Sequence, residues 1–335
     1  MDIRDRCSRG TPVLINVQKI IMKRSLINKK IKFKQMNLKI SMVVFLLSFF
    51  SFAYAGKIKV VTTLQDLKSI TELIGGDKVS VSAIATGYQN PHFVDPKPSY
   101  IIGLSQADLF VTVGLDLETG WSPQLLASSR NTKIQKGSNG YIDASTGISL
   151  YQVPNAANRA EGDIHIYGNP HYWLDPVNGK QIARNIANGL ERVDPANKAT
   201  YETNLQTFDK NIDAKMKDWQ AKMAPYKGSK IIAYHNEWVY FEKRFGLEIV
   251  DFMEPKPGIP PTPSQLVKVI NEVKSNNIKV IISSPYFSTS SSDVVAKQTG
   301  IKVVTMATST GAFPTVKNYF DVFDYDINQL IGALK

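Results

Sequence analysis

The sequence predicts an α/β protein made of two lobes with mostly parallel sheets, joined by a long rigid helix. Its 335 residues are enough for about two domains. From Gly56 onward, short runs rich in β-branched residues alternate with longer segments of helical periodicity, a pattern typical of parallel sheets covered by helices. The alternation occurs in two series, and a predicted loop followed by two predicted helices separates them.

The first series predicts three strands with two helices between them. Each strand is a short apolar run, and each helix keeps its apolar residues at helical spacing. The following segment, residues 137–164, is rich in Gly, Ser, Asn and Ala, which predicts a loop or a poorly ordered insertion. In chain order the elements are strand 58–62, helix 66–74, strand 79–85, helix 98–107 and strand 109–113.

Two helices are predicted between the series, over residues 176–193 and 195–223. In the second, apolar residues recur every three or four positions, which is the spacing of a face buried against a core. At 1.5 Å per residue this helix is roughly 40 Å long, so we expect it to run along both lobes as a stiff connection. The apolar residues are Tyr201, Leu205, Phe208, Ile212, Met216, Trp219 and Met223.

The second series predicts four strands and a clear helix start. Thr262 is suited to cap the helix between the second and third strands, with Pro263 at its first position and Gln265 placed to complete a capping box. The strands cover residues 230–234, 248–253, 279–283 and 302–306. The predicted organisation is an N-terminal extension, a first lobe, a linker helix and a second lobe, at residues 1–55, 56–194, 195–224 and 225–335.

The net charge of +11 is concentrated in the N-terminal segment. Residues 1–55 hold 11 Lys and Arg against two acids, whereas the other 280 residues carry 29 basic and 27 acidic groups. A basic chain suggests nucleic acid as a partner, but this distribution removes that argument. We expect no nucleic-acid binding.

The N-terminal segment is typical of a signal peptide. An uncharged apolar run over residues 40–52 follows basic residues, and Ala53 and Ala55 predict cleavage after Ala55. A membrane anchor is the alternative, but a span needs about 20 apolar residues. Met36 would open a signal peptide of ordinary length, so a translation start at Met36 that omits residues 1–35 is an alternative. The single cysteine, Cys7, excludes an internal disulfide and lies far from the cleavage site, so we expect a periplasmic protein without a lipid anchor.

Four histidines follow the predicted cleavage site, and three lie at predicted element ends. His92 follows the second strand, His171 precedes the helix at 176–193, and His235 follows the strand at 230–234. Ligands of open α/β sheets bind at the carboxyl ends of strands, so these residues could share a cleft. Neutral imidazoles suit Zn²⁺, whereas oxygen ligands suit manganese and magnesium. Their long spacings form no local motif, so spacing alone leaves open that each is a loop or capping residue.

Four strings of the sequence, three of them around these histidines, resemble the metal-binding solute-binding proteins of ABC importers, the cluster that takes up zinc and manganese. The strings are NPHFVDPKPS, GNPHYWLDP, AYHNEWVYFEKRFGL and MEPKPGIPPTPSQL, and the similarity covers nearly all of residues 57–333. The resemblance implies two lobes, a rigid linking helix, and an ion bound between the lobes and handed to a membrane permease. Carried over position by position, the metal ligands fall on His92, His171 and His235.

The fourth ligand position departs from the family pattern. Members commonly carry an acid after the last strand, where this chain has Ala307 or Thr308, and a second acid where it has Ser284. We expect water there, or a carboxylate from elsewhere such as Glu237 or Glu254. Manganese-binding members often have a carboxylate at the third position, so a histidine there favours zinc.

Two further residues have simpler interpretations. His165 is expected to be a solvated loop residue, with an auxiliary metal ligand as the alternative. Asp175 is expected to cap a helix that begins at Pro176, with a contact to a ligand imidazole as the alternative.

The sequence therefore predicts a monomeric periplasmic component of an ABC importer that binds Zn²⁺ and is not an enzyme. A manganese-binding homologue or an adhesin on the same scaffold stays open. So does a zinc hydrolase, because three histidines with an open fourth position also activate water. The sequence offers no convincing general base for that reaction.

Overall fold

The computed structural model describes residue 19 and residues 22–36, 56–154 and 165–335. The chain divides into two compact units, residues 1–56 and 57–335. In the first unit, residues 22–36 form helix α1, whose side chains are exposed. The apolar run of the predicted signal peptide, its cleavage site and Cys7 lie outside the described residues. None of the described helices combines the length and apolar character needed to cross a membrane.

The first lobe of the second unit is built on a sheet of four parallel strands. The strands are β1 (Ile58–Thr62), β2 (Val79–Ala83), β3 (Leu109–Thr112) and β4 (Tyr141–Asp143), and the helices are α2 (Gln65–Gly75), α3 (Pro98–Ser105), α4 (Ser122–Ser129) and α5 (Asn178–Val193). The strand order is β2-β1-β3-β4, with Val60 opposite both Val81 and Leu109. All four residues of β3 are buried, as expected for a parallel strand covered on both faces.

The second lobe repeats this arrangement. Its strands are β5 (Lys230–Ala233), β6 (Glu248–Phe252), β7 (Val280–Ser283) and β8 (Lys302–Thr305), and its helices are α7 (Val239–Phe245), α8 (Pro263–Asn276), α9 (Ser290–Thr299) and α10 (Tyr319–Leu334). The strand order is β6-β5-β7-β8, again parallel throughout. In each sheet the strand that is third in chain order, β3 or β7, pairs with the free edge of the strand that is first in chain order, β1 or β5. At this reversal of strand order, the carboxyl ends of the strands form a crevice suited to a ligand.

A long helix, α6 (Lys198–Met223), separates the two sheets in sequence and is 26 residues long. It begins three residues later than predicted, because Pro195–Asn197 form a separate 3₁₀ turn. The predicted apolar stripe is buried, apart from Leu205, which is half-buried against the core. Helix α6 packs against α2 and α5 of the first lobe and against α10 of the second lobe, so it contacts both lobes.

The predicted fold class of two parallel α/β lobes with a long helix is confirmed, with local differences. β4 lies in the segment predicted to be a loop, and its three residues are too few to show a strand pattern by themselves. Thr262 caps α8 as predicted, its Oγ1 accepting the Gln265 N–H at 3.3 Å. The Gln265 side chain does not complete a capping box, because its Nε2 donates to the Phe252 carbonyl at 2.7 Å. The lobe boundaries stay a prediction.

Candidate metal centre

His92 lies in the loop that follows β2 on the first lobe. The Asn90 Oδ1 accepts the His92 backbone N–H at 3.0 Å, which forms a local turn. The Trp121 indole donates to the neighbouring Pro91 carbonyl at 3.0 Å, so the turn is fastened to the segment before α4. These two bonds fix the backbone that carries His92, whose ring is half-buried beside the other histidines.

His171 lies at the start of a short 3₁₀ helix, Tyr172–Leu174, and is only 1% exposed. The Asn169 Oδ1 accepts its backbone N–H at 3.0 Å and lies 2.9 Å from Nδ1 of the ring. The Asn169 amide nitrogen donates to Gln152 and to the Asn236 carbonyl, at 2.9 and 2.8 Å, which fixes the amide orientation. Because an amide oxygen only accepts, Nδ1 carries the proton and Nε2 presents its lone pair.

His235 follows β5, where the carboxyl end of the strand meets the crevice. Its Nδ1 lies 2.6 Å from Oε2 of Glu254, and both side chains are buried. Glu254 follows β6, and its backbone N–H donates to the Tyr234 carbonyl at 3.0 Å, so strand pairing positions it. A carboxylate that accepts from Nδ1 sets the tautomer in which Nε2 can bind a metal and makes the imidazole a better donor.

The structure brings the three predicted residues together. One ligand atom from each of His92, His171 and His235 lies within 4.8 Å of the others. The Nε2 atoms of His92 and His171 are 3.2 Å apart. Two nitrogens bound to one tetrahedral zinc ion at about 2.0–2.1 Å would be about 3.3 Å apart. The nitrogens of this pair are therefore already at the separation that a shared ion requires.

The environment keeps the imidazoles of His92 and His171 neutral. Burial lowers the pKa of His92 and His171 well below the usual 6.5, and the neighbouring imidazoles lower it further. Both rings are therefore unprotonated near pH 7. Since a metal binds the neutral form of imidazole, little proton displacement opposes binding at these two positions.

The positions where the family pattern has acids hold neutral groups here. Both Ser284 and the Tyr286 hydroxyl donate to the carboxylate of Glu237, the latter at 2.6 Å. The Thr308 carbonyl accepts from the Trp173 indole at 2.9 Å. Burial raises the pKa of Glu237, while the nearby His235 and the two hydroxyls lower it. Among the described residues, neither Glu237 nor Glu254 joins the group of three ligand atoms.

His165 lies in a loop, as predicted, but beside the rings of His92 and His171, which its position in the sequence did not indicate. Its ring centroid lies 5.0 Å from that of His92 and 6.4 Å from that of His171, and the residue is half-buried. The signal available in the sequence was its position six residues before His171 in an aromatic, glycine-containing segment. Its partner His92 is far away in the chain, so the sequence could not place the two rings together.

Asp175 holds the loop of His171 and is not a candidate ligand. Its carboxylate accepts the Val177 N–H at 2.9 Å and a bidentate pair of bonds from Arg244, both at 2.7 Å. Helix α5 begins at Asn178, two residues later than predicted, because this Asp175 turn precedes it. The Arg244 pair joins α7 of the second lobe to the chain just beyond His171, so it stabilises the relative position of the lobes.

Two α/β lobes with the same strand order, a long helix packed along them and imidazoles meeting between them are features of metal-binding solute-binding proteins of ABC importers. A family model described as ZnuA, zinc-uptake complex component A periplasmic, matches residues 60–333. The chain belongs to this family, which confirms the resemblance seen in its sequence.

Similar proteins are also substrate-binding components of metal ABC transporters, but their names give different metals. The iron ABC transporter substrate-binding lipoprotein MtsA of Streptococcus pyogenes serotype M1 is 30% identical over 261 residues, 75% of this chain and 79% of its own. The manganese ABC transporter substrate-binding lipoprotein PsaA of Streptococcus anginosus is 26% identical over 286 residues, 83% of this chain and 89% of its own. A crystal structure of ZnuA matches with a TM-score of 0.71 at 26% identity, covering 84% of this chain and 100% of that one.

Proposed function

We propose that this protein captures Zn²⁺ through His92, His171 and His235 and delivers it to the permease of a metal ABC importer. The observation that carries the proposal is the convergence of imidazoles from both lobes, with one ligand atom from each within 4.8 Å of the others. Asn169 and Glu254 support it further, because each accepts from the Nδ1 of a histidine and so directs Nε2 toward the ion.

Zinc is favoured over manganese by the donor set. All three donors are nitrogens, which suit zinc, whereas manganese prefers oxygen ligands. The nearest carboxylates already accept hydrogen bonds, Glu254 from His235 and Glu237 from Ser284 and Tyr286. The relatives named for manganese and iron make these two metals the competing cargos.

Metal analysis of the purified protein tests the ligand assignment. We expect one equivalent of zinc in the wild type, and little in His171→Ala, when each is dialysed against equal concentrations of Zn²⁺ and Mn²⁺. Tyr88→Ala, which changes an exposed side chain, serves as the control and should retain zinc. Preferential retention of manganese, or full zinc loading of His171→Ala, would overturn the proposal.

The transport role has its own test. A strain lacking this protein should grow poorly in zinc-depleted medium and recover when zinc is added, whereas an adhesin would leave growth unchanged. We propose that the protein works in the periplasm as a monomer, and sequencing of the mature N-terminus should begin at Gly56. A mature protein that retains residues 1–55 would contradict the export assignment.

The arrangement gives a hydrolase little support. Glu254 orients His235, and the Glu237 carboxylate accepts from two hydroxyls, so each of these acids already has a hydrogen-bonding role. A general base must reach the proton it removes. We infer that the protein is not an enzyme and expect no chelator-sensitive esterase activity from the zinc-loaded protein.

A further inference from the structure

We propose that His165 is a fourth metal ligand, which approaches the bound ion and completes a site of four imidazoles. The inference rests on the metal-binding function proposed above. It assigns a donor to the position where this chain has Ala307, Thr308 and Ser284 in place of an acid.

The separations between the rings support this assignment. The ring centroids of His92, His171 and His235 lie 5.2, 5.5 and 5.6 Å apart. An imidazole bound through Nε2 has its centroid about 3.2 Å from a zinc ion, so two rings of a tetrahedral site are about 5.2 Å apart. The 5.0 Å between His165 and His92 is already a ligand-like separation, whereas the 6.4 Å to His171 is longer and His165 lies outside the group of three ligand atoms, so its ring must move toward the ion to bind it.

The backbone beside His165 explains why the ring lies there. The Gly168 N–H donates to the His165 carbonyl at 3.0 Å, which closes a tight turn. Gly168 has a φ of +115°, a conformation that favours glycine. The next residue, Asn169, donates its N–H to the Tyr151 carbonyl at 2.9 Å, which anchors the end of the turn. The turn therefore folds His165 back toward the loop that carries His171.

A fourth imidazole has a clear chemical consequence. Zinc sites with three protein ligands keep a position for water or another small molecule, whereas four protein ligands close the coordination sphere. His165 would therefore exclude water from the ion during transport. As a residue in a surface turn, it can also leave the ion without any change in the three ligands beneath it.

The test uses Co²⁺ as a spectroscopic substitute for zinc and azide as a probe of an open coordination position. The wild type, His165→Ala and the control Tyr167→Ala, an exposed residue in the same turn, are each loaded with one equivalent of Co²⁺. We expect the visible spectra of the wild type and the control to be unaffected by azide. The His165→Ala spectrum should change with azide, and its zinc affinity should fall by about tenfold or more. X-ray absorption of the zinc-loaded wild type should show four imidazoles.

The outcomes separate this proposal from the proposed function. If wild type and His165→Ala both bind Co²⁺ and respond equally to azide, or if zinc in the wild type has three imidazoles and an oxygen, the role of His165 is overturned while zinc binding stands. If no variant binds metal and the wild type does not either, the proposed function itself fails. X-ray absorption of the wild type needs no variant, so the proposal can be tested even if His165→Ala does not fold.

Discussion

Nδ1 of His235 and Oε2 of Glu254 are 2.6 Å apart, and the two residues follow neighbouring strands of the second sheet. Partners of this kind orient a metal-binding imidazole, and their loss typically lowers metal affinity about 10–100-fold. We expect a reduction of that size for Glu254→Ala, measured by competition with a zinc chelator. Glu254→Gln, which retains an acceptor, should lose less, and equal affinities for both variants and the wild type would refute the role of the carboxylate.

Asn169 should affect His171 in the same way. Asn169→Ala removes the oxygen that accepts from Nδ1, together with the bond to the Asn236 carbonyl. We expect zinc affinity to fall about 10–100-fold because neither the tautomer nor the ring orientation is then fixed. Isothermal titration of zinc into the two proteins measures the change. Asn185→Ala, which removes side-chain bonds to the Ala144 and Thr146 carbonyls of the first lobe, is the matched control and should leave affinity unchanged.

Zinc binding should persist below the ordinary pKa of histidine. Burial and the neighbouring imidazoles lower the pKa of both His92 and His171 well below 6.5, so protons compete for these ligands only at more acidic pH. We expect the midpoint of zinc loss, measured by dialysis between pH 7.5 and 4.5, to lie below 6.5. A midpoint at or above 6.5 would show that the rings are more easily protonated than the structure indicates.

Asp326 should make the metal-free protein less stable as pH rises. It is fully buried and accepts the Ala307 N–H at 2.5 Å, and burial raises its pKa well above the usual value of 3.8. The folded state then binds more protons than the unfolded state, so this residue's contribution falls from about pH 4 upward until the folded pKa is reached, by about 1.4 kcal/mol per pKa unit.

Asp326→Asn removes this titration. We expect the difference in free energy of unfolding between variant and wild type, measured with urea, to change in favour of Asp326→Asn as pH rises from 4 to 8. A difference that does not change with pH would contradict the raised pKa. The comparison between the two proteins cancels the contribution of the histidines.

Gly87 occupies a position where a methyl group cannot fit. A Cβ there would lie 2.2 Å from the Thr310 carbonyl oxygen and 2.4 Å from the Gly311 carbonyl carbon, both of them backbone atoms. We expect Gly87→Ala to lower the free energy of unfolding by about 1–3 kcal/mol. Gly332→Ala, in α10 with open space around it, is the control and should be neutral or stabilising. Equal thermal midpoints for wild type and Gly87→Ala would contradict this close approach.

The sheets and the long helix could be predicted because their signals are local, whereas the three histidines were assigned through the resemblance of the strings around them to a known family. Apolar runs mark buried strands, the stripe from Tyr201 to Met223 marks a helix face, and His235 directly follows a strand. The partners that complete the site could not be predicted in this way. Glu254 lies 19 residues from His235, and Asn169 contacts the Asn236 carbonyl 67 residues away. Such pairs depend on the register of the strands and on the packing of the two lobes, and the hydrophobic periodicity of the sequence contains no information on either.

The same limit explains β4 and His165. A strand of three residues has no measurable alternation, so Tyr141–Asp143 is defined only by its pairing with β3. His165 looks like any loop histidine until the fold places His92 beside it. Solvent exposure in these segments is decided by distant parts of the chain.

Asn169 belongs to the loop of His171 and is hydrogen-bonded to the loop of His235. Its oxygen accepts from His171, while its nitrogen donates to the Asn236 carbonyl, next to His235. A movement that draws the second lobe away would pull on this one amide and, with it, on the ring of His171. Separation of the lobes would therefore break the bond to Asn236 and release the Asn169 amide from its fixed position against Nδ1 of His171, while His235 would move away together with Glu254.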